Sequence, residues 1–173
     1  MKKTFFIALI LVSLLLFAGS HSIIQRGPST GDTAPAIATV EADSIVRQAL
    51  AGGNYVLLNF WNSSDAESRR AANGYRAWKR RFPNAHLRII GINFDKSPTL
   101  FHEIVRLDSL EPSSQYHASG DTARAIINSY GLDGGYGAVL IAPDGKIIAT
   151  NPSETDLDAI FALQPGIQST FFQ

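Results

Sequence analysis

The sequence predicts an α/β domain: a mixed central sheet with helices on both faces, closed by a β-hairpin and a last helix. Two apolar runs of strand length carry that expectation, YVLLNF at residues 55–60 and LRIIGINF at residues 87–94. Runs this continuous suit strands covered on both faces. A helical pattern lies between them, so the two strands pair in parallel through a crossover. Further on, PDG at residues 143–145 separates two more apolar runs, which is a hairpin signal.

Composition narrows the function. A chain of 173 residues, 45% hydrophobic and 17% charged, holds one globular domain with a sizeable core. Basic and acidic residues number 15 each, so no net field draws nucleic acid or an anionic membrane surface. There is no cysteine, which excludes disulfides, thiol chemistry, iron–sulfur clusters and cysteine-based zinc sites together. The histidines, His21, His86, His102 and His117, show no His-x-x-x-His spacing, and no metal or other cofactor is expected.

Residues 1–22 read as a signal peptide. Lys2 and Lys3 give a positive start, an apolar run over residues 5–18 follows, and small residues come next. The run is short for a membrane span, which needs about 20 residues, so an uncleaved anchor is the secondary reading. No cysteine follows it to carry a lipid. Loss of Lys2 and Lys3 leaves 13 basic against 15 acidic residues, a net charge of −2. Residues 23–33 form a polar linker with Gly27, Pro28 and Gly31, and the domain is expected over residues 34–173.

Within the domain, residues 37–40 suggest an edge strand. Residues 43–51 have Ile45, Val46, Ala49 and Leu50 at helical spacing, with Asp43 as cap and Gly52–Gly53 as terminator. The strand at 55–60 leads to a helix over 64–82, where Ala71, Tyr75, Trp78 and Phe82 line one face and Pro83 ends it. After the strand at 87–94, helical patterns occupy residues 98–110 and 121–130, the second capped by Asp121 with Ala125, Ile126 and Tyr130 inward. Strands at 137–141 and 146–150 flank the hairpin turn. A helix over 153–163, capped by Ser153 with Asp156 three residues on, closes the chain.

GDTAP at 31–35, VLLNFWNSS at 56–64, IIGINFD at 89–95 and YGLDGGYGAVLIAPDGKIIA at 130–149 together resemble the thioredoxin-like superfamily, in its exported redoxin branch of TlpA/ResA-type thiol–disulfide oxidoreductases. The resemblance covers residues 31–163 in order. It implies a thioredoxin-like fold with its site where strand ends meet helix N-termini. The family's two cysteines fall on Asp65 and Ser68, its preceding tryptophan on Ser64, and its cis-proline on Tyr136. With both sulfurs and the proline replaced, the resemblance implies a redox-inactive derivative.

A helix N-terminus that lowers a cysteine's pKa also favours a carboxylate at Asp65, but a carboxylate cannot exchange disulfides. Ser64–Asp65–Ala66–Glu67 has the Ser-x-x-Glu form of a capping box, which gives these residues a structural reading. Tyr136, in a glycine-rich loop, reads as a cover over the vacated groove or as an aromatic platform for a ligand, with its preceding peptide trans. The basic stretch Arg69, Arg70, Arg76, Lys79, Arg80 and Arg81 reads as a solvated helix face. His117, Ser119 and Asp121 read as loop and cap residues, since no Gly-x-Ser-x-Gly turn accompanies them.

Three functions follow as expectations. One is a non-catalytic binding or scaffold module of the bacterial cell envelope, holding an envelope protein or peptide in the former substrate groove through Ser64, Asp65 and Tyr136. A second is an enzyme with non-thiol chemistry at Asp65, Tyr136 or His117. A third is a subunit of a cell-envelope redox complex. No catalytic residue is assigned, no nucleic acid partner is expected, and membrane contact is expected only if the leader stays attached.

Overall fold

The computed structural model describes residues 26–162. The expected signal peptide at 1–22 and the expected last helical residue, Leu163, lie outside the described residues. Helix α1 is Val40–Ala51, strand β1 Tyr55–Trp61, α2 Ala66–Arg81, β2 Leu87–Asn93 and α3 Pro98–Leu107. Then come β3 Gln115–His117, α4 Gly120–Tyr130, β4 Ala138–Ile141, β5 Ile147–Thr150 and α5 Glu154–Phe161. The strands form one sheet in the order β3-β2-β1-β4-β5. The pairs β1–β2 and β2–β3 are parallel, while β4 runs antiparallel to β1 and to β5. This is the thioredoxin-like α/β arrangement the sequence predicts.

The period of two along β1 divides its side chains between the faces. Val56, Leu58 and Phe60 join Val46 of α1 and Ile126 of α4 in one core. Leu57 joins Tyr75 and Trp78 of α2 and Leu157 and Phe161 of α5 in the other. Trp61 anchors a third cluster with Ala72 of α2 and Phe101, Ile104 and Val105 of α3. Two indole and phenol groups on the inward stripe of α2 find partners: Tyr75 Oη donates to Pro152 O at 3.0 Å, and Trp78 Nε1 donates to Asp158 Oδ1 at 2.7 Å.

Several boundaries differ from expectation. Residues 37–40 form no strand. Asp43 is the reason, because its carboxylate accepts the N–H of Ile37 at 3.0 Å and folds that segment onto α1. The helix therefore starts at Val40 behind Thr39, and Asp43 is not its N-cap. Helix α3 stops at Leu107. Ser109 takes a left-handed turn at φ 51°, which returns Leu110 to the core. In α4 the N-cap is Ser119, not Asp121; Asp121 and Ala125 are exposed, and Asp121 pairs with Arg124. The three-residue strand β3 is absent from the sequence-based expectation, being too short for an alternation pattern to register. At α5 the expected capping box forms in full between Ser153 and Asp156.

Candidate functional site

The end of β1 and the start of α2 are pinned by side chains reaching across to the end of β2. Asn62 Nδ2 donates to Phe94 O at 3.0 Å, while Asn62 Oδ1 accepts from Ser64 N at 3.0 Å and from Ser64 Oγ at 2.6 Å. The backbone N–H of Ser63 donates to Asp95 Oδ1 at 2.9 Å, and the Ser63 hydroxyl donates to Asp95 Oδ2. Asp95 is 3% exposed and also accepts from Asn93 Nδ2 at 3.0 Å. His117 of β3 donates from Nε2 to the Asp95 carbonyl at 2.7 Å. A buried carboxylate at a strand end thus holds the loop in place. The sequence reading missed Asp95; its signal was an acidic residue directly after an apolar strand, where this class of sheet gathers its polar groups.

Asp65 is the N-cap of α2, in extended geometry at φ −96° and ψ 103°. Its Oδ1 accepts the N–H of Ser68 at 2.8 Å. Ser68, 4% exposed, donates its hydroxyl to Asp65 O at 3.1 Å and accepts from the Asn62 N–H at 3.3 Å. The expected capping box of Ser64 with Glu67 does not form, because the helix starts one position later than that pairing requires. Ser64 turns to Asn62, and Glu67 is exposed.

Tyr136 faces this corner from the loop before β4. Its ring stacks on Phe94, with centroids 5.4 Å apart and planes inclined by 14°. Burial pushes its phenol pKa up, and the nearby carboxylates of Asp65 and Asp95 add to the shift. Gly135 precedes it at φ 138°, a conformation open to glycine, and no peptide is cis among the described residues. The structure therefore brings Asp65, Asp95 and Tyr136 to one corner, with Ser64 exposed at its rim.

The chemistry available there is limited. Ser63 donates to a carboxylate and Ser68 to a carbonyl, so neither hydroxyl is paired with an imidazole base. His117 is engaged by a carbonyl and lies against Phe101, 5.5 Å between centroids. No group of three or more metal-ligating side chains occurs among the described residues. The basic side of α2 is less solvated than expected. Arg69 forms a bidentate pair with Asp108 at 3.0 and 2.7 Å, which raises the arginine's pKa. Arg76 and Lys79 are half-buried, and Lys79 Nζ donates to the carbonyls of Pro83 and Ala85 at 2.9 and 2.7 Å.

No protein-family model matches the chain, and no curated protein matches it. Solved structures do. A thioredoxin-like protein from Parabacteroides distasonis is 28% identical with a TM-score of 0.65, the match covering 79% of this chain and 97% of that one. A thiol:disulfide interchange protein from Bacteroides sp. is 21% identical with a TM-score of 0.66, covering 83% and 95%. A secreted thiol-disulfide isomerase from Corynebacterium glutamicum shares the fold at 14% identity and a TM-score of 0.53, covering 63% and 69%. The chain is thioredoxin-like in fold and contains no cysteine, so it has no thiol with which to exchange disulfides.

Proposed function

We propose that this protein is a non-catalytic binding module of the bacterial cell envelope that holds a peptide segment of an envelope partner in the groove between Ser64–Asp65 and Tyr136. The observation that carries this reading is the mutual hydrogen bonding of Asp65 and Ser68, which makes a helix cap of the two positions that the resemblance pairs with the family's cysteines. The scaffold is retained while its reactive groups are spent on stability. Across the corner, exposed Gly134 and Gly135 leave backbone accessible beside the half-buried Tyr136 ring, a combination suited to an extended chain. Export is supported by the N-terminal Lys2–Lys3 and the apolar run after them, and by the secreted isomerase of the same fold.

Two measurements test the reading. Intact mass of the native protein should give a chain starting between residues 21 and 24; a full-length chain in the membrane fraction would replace secretion by anchoring. A partner captured from envelope extract should then bind Tyr136→Ala at least about tenfold more weakly, a change of about 1.4 kcal/mol. It should bind a variant with Arg76 and Lys79 reversed in charge as well as it binds the wild type. The opposite pattern, with Tyr136→Ala folded and competent, would move the partner to the basic side of α2.

A further inference from the structure

Asn59 is the polar member of an otherwise apolar row on β1. Its neighbours on that face, Leu57 and Trp61, are core residues, and Asn59 itself is 2% exposed. Among the described residues its Oδ1 has no hydrogen-bond partner. Buried acceptors are almost always paired, so an orphan calls for an explanation. Asn59 lines a cavity of about 590 Å³ between α2, strands β1 and β2, and the segment 109–115. Opposite it in register lies Gly91 of β2, whose missing side chain leaves room that the Gln115 side chain enters on its way to Trp61 Nε1, 3.1 Å away.

The wall of that cavity formed by α2 carries a second orphan. Among the described residues Arg76 Nε is buried without a partner, and the guanidinium's hydrogen bond is a long one from Nη2 to Asn73 Oδ1 at 3.4 Å. Lys79, Arg80 and Arg88 stand around the same cavity. Among the described residues, none of these four cations has a carboxylate partner, whereas Arg69 and Arg81 on the same helix do. Burial, and then Arg88, lowers the pKa of Lys79, which is the mark of a positive, partly desolvated pocket. Leu87, Ile89 and Leu110 supply apolar lining.

We propose that this cavity binds a small organic carboxylate that has an apolar body and an N–H or O–H next to the carboxylate, as in an N-acylated apolar amino acid. Each part answers a specific vacancy. The carboxylate meets the Arg76 guanidinium, whose Nε lacks a partner, whose Nη2 holds only a long bond, and whose planar fork matches it. The donor meets Asn59 Oδ1 after a small turn of the amide, since that atom is closed to water in the empty cavity. The apolar body covers Leu87, Ile89 and Leu110. A bare phosphate would satisfy the first requirement only. The site is separate from the peptide groove, since Ser64, Asp65 and Tyr136 do not line it.

The test is titration of the full chain, followed by amide NMR, with N-acetyl-leucine, its neutral primary amide, isocaproate and inorganic phosphate. N-acetyl-leucine should shift the amides of Asn59, Gly91 and Leu110 saturably. The neutral amide and phosphate should each bind about tenfold more weakly or worse. Arg76→Gln should lose about tenfold in affinity with an unchanged Tm, and Tyr136→Ala should lose nothing. Asn59→Leu removes the orphan without opening a void; it should fold at least as stably and bind N-acetyl-leucine no better than isocaproate, which lacks the N–H. The proposal is overturned if Asn59 and Gly91 stay unmoved by millimolar N-acetyl-leucine. Equal binding of phosphate, or full binding by Arg76→Gln, overturns it as well.

Discussion

Asp65 and Ser68 close a hydrogen-bonded ring on each other: the Asp65 carboxylate accepts the Ser68 N–H at 2.8 Å, and the Ser68 hydroxyl returns to the Asp65 carbonyl at 3.1 Å. The bond satisfies a backbone donor that the first turn of α2 would leave unpaired, and it sets a negative charge against the positive end of the helix. Asp65→Ala should cost about 1 kcal/mol in urea unfolding, and Asp65→Asn, which still caps, should cost a few tenths. Equal stability of Asp65→Ala and wild type would show that the cap contributes nothing.

The same ring makes a chemical prediction. Asp65 and Ser68 are an N-cap and its third helical residue, close enough for a side chain of one to bond the backbone of the other. The double variant Asp65→Cys with Ser68→Cys should oxidise to an intramolecular disulfide, and its dithiol form, regenerated with dithiothreitol, should reduce insulin, whereas the wild type has no thiol to offer. Mass spectrometry after alkylation reads the outcome. Two thiols that react independently and never pair would show that these positions do not match the family's cysteines.

Much of the fold was legible because its signals are long or chemically marked. The apolar runs at 55–60 and 87–94 become seven-residue strands β1 and β2, and the inward stripe of α2 from Ala71 to Phe82 recurs over about three turns. The box at Ser153–Asp156 is local and forms as read. What escaped depends on tertiary context. Asp43 caps nothing in its own helix but ties down Ile37, six residues back. Ser64 loses the cap to Asp65 because Asn62, itself fixed by Phe94, takes the Ser64 hydroxyl. At the site, Tyr136 was legible as a loop aromatic, yet its stack on Phe94 and the clamp of Asp95 on Ser63 join segments distant in sequence. A basic helix face and a basic pocket look alike in sequence; the orphaned Asn59 distinguishes them only once β1 lies under α2.

Alkaline unfolding should be set by phenols. Burial is the first cause that pushes up the pKa of Tyr75, to about 12, and of Tyr130 and Tyr136; Asp156 adds to the first shift and Asp43 to the second. In the unfolded chain these groups ionise near 10. Between the two values the unfolded state holds fewer protons, so stability is full below pH 10 and falls as pH rises through the folded values. The Tm should therefore drop steadily from pH 10 toward pH 12. Tyr130→Phe, which also gives up the hydroxyl's bond to Pro35 O, should start from a lower Tm and show a shallower drop. A Tm flat across that range would contradict the buried state of these rings.

The loop that carries Tyr136 is fastened from the other side by Asn151, and that fastening leaves no room at Gly137. Asn151 sits in the left-handed region at φ 47°, and its Oδ1 accepts the Ala138 N–H at 2.7 Å. A Cβ on Gly137 would come within 2.3 Å of that same oxygen. Gly137→Ala must therefore either break the bond or displace the loop, at about 1–3 kcal/mol. Gly137→Ala combined with Asn151→Gly should recover most of the loss, because the clash is gone and glycine suits the left-handed backbone. Fluorescence-monitored urea unfolding of the two single variants and the double variant gives the coupling. A double variant no more stable than Gly137→Ala alone would mean that the side chain of Asn151 does not set the position of the Tyr136 loop.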